Sequence, residues 1–235
     1  TDMYTLLQLL LAHILADFFL QNKKMVNAKR GKGARRWAAL AGHSLLHAIT
    51  AYVLVGEWHS WQIPAVLFST HFVIDSGKSH IGRDSLGIFL KDQCLHLMVV
   101  VGLWLWLMPG NLRESLSLVV DMLPSNCLPI VVAYALMLRP TAILLALILK
   151  RWQLGNMTAG SLPEAGKWIG YLERMMTLTF VLTGHIEGVG FLLAAKSVFR
   201  FGDLKEAKDI KTTEYVMIGT MWSFAIAIAA GLLVR

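Results

Sequence analysis

Thiolate is scarce in this chain. Two cysteines, Cys94 and Cys127, stand among 235 residues, too few for a disulfide framework or a zinc ribbon; they read as a membrane thiol and a loop thiol. Charge is thin as well: 16% of residues carry it, 56% are hydrophobic, and mean hydropathy is +0.56. That balance excludes an ordinary soluble domain and describes a polytopic membrane protein. Acidic residues are the scarcer sign, 15 against 22 basic. In a soluble protein the net charge of +7 would point to nucleic acid; here its distribution along the chain says more.

What is abundant is apolar sequence in runs. A helix needs about 20 residues to cross the hydrocarbon core, and the chain offers eight such runs, at about 3–21, 37–56, 61–80, 86–108, 127–149, 164–183, 186–202 and 213–234. The expected fold class is all-α, a polytopic membrane bundle of about eight transmembrane helices. Residues 1–108 would form a four-helix metal-binding core and residues 109–235 a four-helix region packing on it. The first run lacks a basic n-region and a small-residue cleavage site and carries His13 and Asp17, so it reads as a permanent helix and not a signal peptide.

Lys23, Lys24, Lys29, Arg30, Lys32, Arg35 and Arg36 fill the link between the first two runs. By the positive-inside rule this link is cytoplasmic. Alternation then puts Lys78, Arg83 and Lys91, then Lys150 and Arg151, then the segment from Arg200 to Lys211 on the same side. The expected location is a bacterial inner membrane, multi-pass, with both termini periplasmic. Such basic loops suit anionic lipid headgroups, with no nucleic acid required.

Within the first four runs a polar motif recurs. His13/Asp17, His43/His47, His71/Asp75 and Asp92/His96 are each spaced i, i+4, which on a helix stacks both side chains on one face. Placing one such group in hydrocarbon costs roughly 2.5 kcal/mol or more, so eight must be compensated together. A lone pair of this kind is ordinarily a polar clamp between helices. Four pairs at one depth are not, and a proton relay is the strongest alternative to a metal site. The first and third runs descend and carry their pairs late, whereas the second and fourth ascend and carry theirs early. At about 1.5 Å per residue all four lie roughly 8–18 Å below the inner surface, where they can converge as the ligands of di-metal bundles do.

Imidazole mixed with carboxylate and no thiolate suits zinc first, then manganese or iron. Eight groups exceed one coordination sphere, so two divalent transition-metal ions are expected, with one or two residues orienting the ligands from behind. Gln21, Lys78, Ser79 and Gln93 adjoin the motifs. Lys78 reads either as an anion contact or as a snorkelling lysine, and Gly42 and Gly77 as small residues permitting close helix approach. AHILADFFLQNKK is loosely similar in layout to THFVIDSGKSHIG, as two tandem hairpins related by an axis along the membrane normal would be.

The second half lacks such pairs. Arg139-Pro140 interrupts the fifth run, and a proline there removes a helix hydrogen bond, which predicts a kinked helix or two half-helices. Glu173, Arg174, Lys196, Arg200 and Glu214 predict salt bridges or a headgroup pocket, while His185 and Glu187 fall in an exposed turn.

The segments AHILADFFLQ, GHSLLH, HFVIDSGK and KDQCLH, followed by GKWIGYLERMM, AAKSVFRF and EYVMIGTMWS, together resemble a bacterial integral membrane family known as domain of unknown function 3307. The resemblance implies the membrane architecture and carries no activity with it. The motifs are also similar in style to membrane-bound metal-dependent hydrolases, by analogy only.

The expected function is an intramembrane metal-dependent hydrolase acting on a lipid-linked or amphipathic substrate near the cytoplasmic face. Two ions polarise the scissile bond and activate water. Asp17, Asp75 or Asp92 serves as general base, and Lys78 stabilises anionic charge. A divalent transition-metal transporter is the main alternative. A di-iron membrane oxidoreductase is the third, disfavoured by the absence of an HxxHH triplet. Partners are membrane lipid or a lipid-linked substrate, without nucleic acid; a homo-oligomer is compatible with all three readings.

Overall fold

Each of the eight apolar runs folds as helix in a computed structural model that describes residues 3–81, 84–107, 127–152, 164–201 and 207–235, with no strand among them. The chain divides into two compact units, Thr1–Ala135 and Leu136–Arg235. Among the described residues five helices are long and apolar enough to cross a membrane: Met3–Leu20, Ala34–Val55, Leu86–Leu107, Cys127–Trp152 and Lys211–Val234. The count of about eight is not reached by this measure. The helix Gln62–Ile81 is diluted by His71, Asp75, Lys78 and His80, Ala165–Thr183 by Lys167, Glu173 and Arg174, and Glu187–Phe201 spans only 15 residues.

In the first unit α1 (Met3–Ile14) runs into a π-helical turn, Leu15–Leu20. The i, i+4 reading assumed an unbroken α-helix there; the extra residue per turn re-aims Asp17, and such turns recur at functional sites. Asn22 then caps a short helix α2 (Lys23–Lys29), its side chain accepting a 2.8 Å hydrogen bond from the Met25 N–H. The helix α3 (Ala34–Val55) follows and ends on Gly56, whose φ of 72° is left-handed and suited to glycine. Next come α4 (Gln62–Ile81) and α5 (Leu86–Leu107). α1 packs on α3 and α5, and α4 on α3 and α5, so the four helices close a ring.

One layer inside that ring is largely apolar. Leu9, Ala12, Ala51, Ile63, Leu67, Val100, Leu103 and Trp104 form a single buried cluster with contributions from all four helices. Every one of them lies on the same side of its helix's His or Asp pair. Gly42 and Gly77 have nothing within 4 Å of where a Cβ would stand, so neither marks a close helix approach.

The second unit starts at Leu136, just before a helix break, so most of the helix that precedes the break belongs to the first unit. α6 (Cys127–Met137) stops at Leu138 and α7 (Arg139–Leu149) restarts with Pro140 in its first turn, giving the two half-helices rather than one kinked helix. Cys127 is therefore the start of a helix, not a loop thiol. Pro140 has no N–H for the Leu136 carbonyl; the Thr141 hydroxyl donates to it instead, at 2.6 Å. The Met137 carbonyl accepts from Arg174 Nε at 2.6 Å, and Arg174 Nη1 lies 3.2 Å from Ser223 Oγ. Arg174 sits on α8 (Ala165–Thr183) and Ser223 on α10 (Ala207–Val234). Beside it Lys196, on α9 (Glu187–Phe201), pairs with Glu173 at 2.7 Å. Close approaches in this unit fall at Gly231, where a Cβ would stand 2.6 Å from Val181 Cγ1, at Gly188, 2.8 Å from Phe180 Cδ1, and at Gly219, 3.0 Å from Leu149 Cδ1. His185 and Glu187 pair at 3.6 Å in the exposed turn between α8 and α9. The side chain of Arg200 lies outside the described ones.

A buried arginine that closes an orphaned carbonyl should be separable from its charge. Arg174→Met leaves the Met137 carbonyl unpaired, a loss of about 1–3 kcal/mol, and is expected to lower the melting temperature in detergent by several degrees. Adding Pro140→Ala is not expected to recover it, because the N–H returned there faces the Leu136 carbonyl, which Thr141 already serves, and not the Met137 carbonyl. Wild-type melting of the single variant would contradict this role.

Candidate metal centre

The ring of α1, α3, α4 and α5 brings all eight sequence-predicted side chains into one cluster. His13, His43, His47, His71, Asp75, Asp92 and His96 are buried, and the Asp17 side chain is nearly so at 12% exposure. Three overlapping groups have ligand atoms close enough to share an ion: His13, Asp17, His47 and His71; His43, His71 and Asp75; and Asp75, Asp92 and His96. His71 joins the first to the second, and Asp75 joins the second to the third.

The distances define two carboxylate foci. Asp17 Oδ1 lies 3.1 Å from His43 Nε2 and 3.3 Å from His71 Nε2, with His13 Nδ1 3.8 Å from its other oxygen. Asp75 Oδ2 is 3.8 Å from both His43 Nε2 and His71 Nε2, and Asp75 Oδ1 is 3.7 Å from His96 Nε2. Asp92 Oδ1 faces the same His96 nitrogen at 3.6 Å. His71 stacks between His47 and His96, at centroid separations of 4.3 and 4.2 Å.

Hydrogen bonding alone does not satisfy this arrangement. His13 Nδ1 and His47 Nε2 are 3.2 Å apart, so one carries the proton for both. His43 Nδ1, His47 Nδ1, His71 Nε2, His96 Nε2 and Asp92 Oδ1 are buried without any hydrogen-bond partner, although buried polar atoms normally find one. Two ligands about 2.0–2.1 Å from one tetrahedral ion are roughly 3.3 Å apart, close to the separations above. Nitrogen and oxygen donors converging in this way fit a divalent transition metal.

Around the cluster, hydrogen-bond partners orient its members. Gln21 Nε2 lies 3.3 Å from His43 Nε2, Gln93 Oε1 lies 3.2 Å from His13 Nε2, and Gln93 Nε2 donates to Asp92 Oδ2 at 3.1 Å. Lys78, read from sequence as an anion contact, places its ammonium 2.6 Å from Asp92 Oδ2 while remaining partly exposed. Ser79 does not face the site; its hydroxyl accepts from Arg36 at 2.8 Å.

The residue that sequence reasoning passed over is Lys29. It lies in the basic link between the first two runs, yet it is buried and its ammonium pairs with Asp75 Oδ2. Burial pushes its pKa below the ordinary lysine value, against the opposing pull of Asp75. The signal was local: a cap at Asn22 starts a helix, and Met25, Val26 and Lys29 follow it at i+3, i+4 and i+7, on one face. Arg30 to Asp84 at 2.5 Å and Arg36 to Ser79 fasten the same segment across to the end of α4 and the turn after it. The cluster therefore has a basic, polar end and, opposite it, the apolar Leu9–Trp104 layer.

No curated protein and no solved structure matches the chain. Residues 5–123 match the family described as protein of unknown function, DUF3307. The match stops short of GKWIGYLERMM, AAKSVFRF and EYVMIGTMWS, so the resemblance does not extend to those segments. It does take in every one of the eight clustered residues and all four helices that carry them, and the protein belongs to the DUF3307 family.

Proposed function

We propose that the cluster is an intramembrane centre for two divalent transition-metal ions, zinc first and manganese or iron after it, and that the protein is a metal-dependent hydrolase of lipid-linked or amphipathic substrates. The observation that carries this reading is the convergence of eight imidazole and carboxylate groups with five of their buried nitrogen and oxygen atoms left without hydrogen bonds. The bound ions would supply Lewis acidity and an activated water. His13, Asp17, His43, His47, His71, Asp75, Asp92 and His96 would hold them. A carboxylate among Asp17, Asp75 and Asp92 that is free of an ion accepts the proton of the attacking water. Lys78, partly exposed at the polar end, meets the anionic group of the substrate.

The two ends of the centre differ in a way that favours an enzyme over a permeation path. A transporter needs polar groups towards both faces, and on the side of the Leu9–Trp104 layer they are few, with Thr5 buried and Gln8 donating to the Leu54 carbonyl at 2.7 Å. A substrate headgroup would enter from the Lys29 end. The proposed setting is a multi-pass protein of the bacterial inner membrane with that end cytoplasmic, both termini periplasmic, and α4, α8 and α9 completing about eight crossings.

Asp75→Asn is expected to keep the fold and part of the bound metal while abolishing hydrolysis of a chromogenic amphipathic ester or phosphoester by the zinc-loaded protein. Lys78→Ala should weaken the use of anionic substrates more than neutral ones. Zinc flux through wild-type protein in liposomes, stopped by Asp75→Asn, would replace this reading with the transporter.

Topology is tested separately. A cysteine introduced by Ala28→Cys, in a chain cleared of Cys94 and Cys127, is expected to resist an impermeant thiol reagent on intact cells and to react once the membrane is opened. Labelling on intact cells would invert the orientation.

A further inference from the structure

The three ligand groups are not electrostatically equal. No ammonium group makes an ion pair with His13, Asp17, His47 or His71 among the described residues. Each carboxylate of the Asp75, Asp92 and His96 group carries one: Lys29 on Asp75 Oδ2 and Lys78 on Asp92 Oδ2. The oxygens facing His96 Nε2 are the opposite ones, Asp75 Oδ1 and Asp92 Oδ1. The lysines thus leave those ligand atoms free while neutralising the charge behind them. Lys29 does one thing more. Asp75 is the only carboxylate shared by two groups, and its Oδ2, the oxygen turned towards His43 and His71, is the one Lys29 takes.

Charge limits what the cluster can hold. Three carboxylates against two ammonium groups leave it with one net negative charge when the imidazoles are neutral. A single divalent ion turns that slightly positive, and a second makes it strongly so, in surroundings where unbalanced charge is expensive. The second ion therefore requires either the withdrawal of Lys29 or the arrival of an anion.

Resting on the metal reading above, we propose that the centre loads its two ions unequally: the first on His13, Asp17, His47 and His71, and the second on Asp75, Asp92 and His96 against Lys29, a tethered cation that weakens the second site. The short helix α2 thereby becomes part of the metal centre, and an anionic substrate headgroup drawing Lys29 away would complete it.

Zinc titration of the full-length, chelator-stripped protein in detergent tests this. Wild type is expected to bind in two steps, the second at least about tenfold weaker. Lys29→Met should tighten the second step by about tenfold and leave the first unchanged, whereas Lys29→Arg, which keeps the charge, should leave the second step weak. Far-ultraviolet circular dichroism and melting of each variant establish that it is folded, and Lys78→Met gives an independent variant with the same expected direction. Two equal steps in wild type, or a second step weakened by Lys29→Met, would overturn the unequal loading and leave the metal centre standing. Absence of any zinc binding by folded wild type would overturn the metal reading itself.

Discussion

A carboxylate taken out of water needs opposite charge or several hydrogen-bond donors, and this protein gathers three within one ring of four apolar helices. Asp17, Asp75 and Asp92 cannot be left there alone, since the cost of each isolated charge would be several kcal/mol. The positions of the other groups follow from that requirement. His13, His43 and His71 surround Asp17; His96 faces both Asp75 and Asp92; and Lys29 and Lys78 supply the cationic remainder from the same end. Even the π-helical turn belongs to this scheme, because it sets the direction in which Asp17 leaves α1.

The apolar layer gives the polar one its meaning. Leu9, Ala12, Ala51, Ile63, Leu67, Val100, Leu103 and Trp104 supply the tight packing of the ring and at the same time exclude water from one side of the cluster. Electrostatic interactions strengthen where water is excluded, so the layer sharpens the selectivity of whatever the imidazoles and carboxylates hold. The same small cavity shows both faces, lined by His13, His47, His71 and His96 and by Leu67, Thr70, Val99 and Val100.

Much of this was legible in the sequence because helical periodicity is a strong signal in apolar surroundings. Four i, i+4 pairs in four runs place their groups on four faces, and the alternation of membrane crossings places those faces at one depth; the cluster in space matches that construction. The parts that were not legible each depend on a tertiary choice. Lys29 belongs to a stretch dense in basic residues, where only the return of α2 against α3 distinguishes one lysine from six other cations. The π-turn at Leu15–Leu20 has no composition of its own. Gly42 and Gly77 adjoin the motifs and so suggest packing glycines, whereas Gly188, Gly219 and Gly231, far from any motif, are the ones that neighbouring helices approach. Arg174 was seen as a charge in search of a carboxylate, yet it holds the carbonyl that the Pro140 break exposes, a partner invisible to any count of charges.

The central claim is that imidazole and carboxylate from all four helices bind metal directly. X-ray absorption spectroscopy at the zinc edge of the purified, zinc-loaded protein tests it most directly. The account predicts a coordination sphere of nitrogen and oxygen only, with the outer-shell scattering of several imidazoles and, at full loading, a metal–metal vector of about 3.5–4 Å. A sphere of water oxygens without imidazole scattering, or one containing sulfur from Cys94 or Cys127, would contradict it.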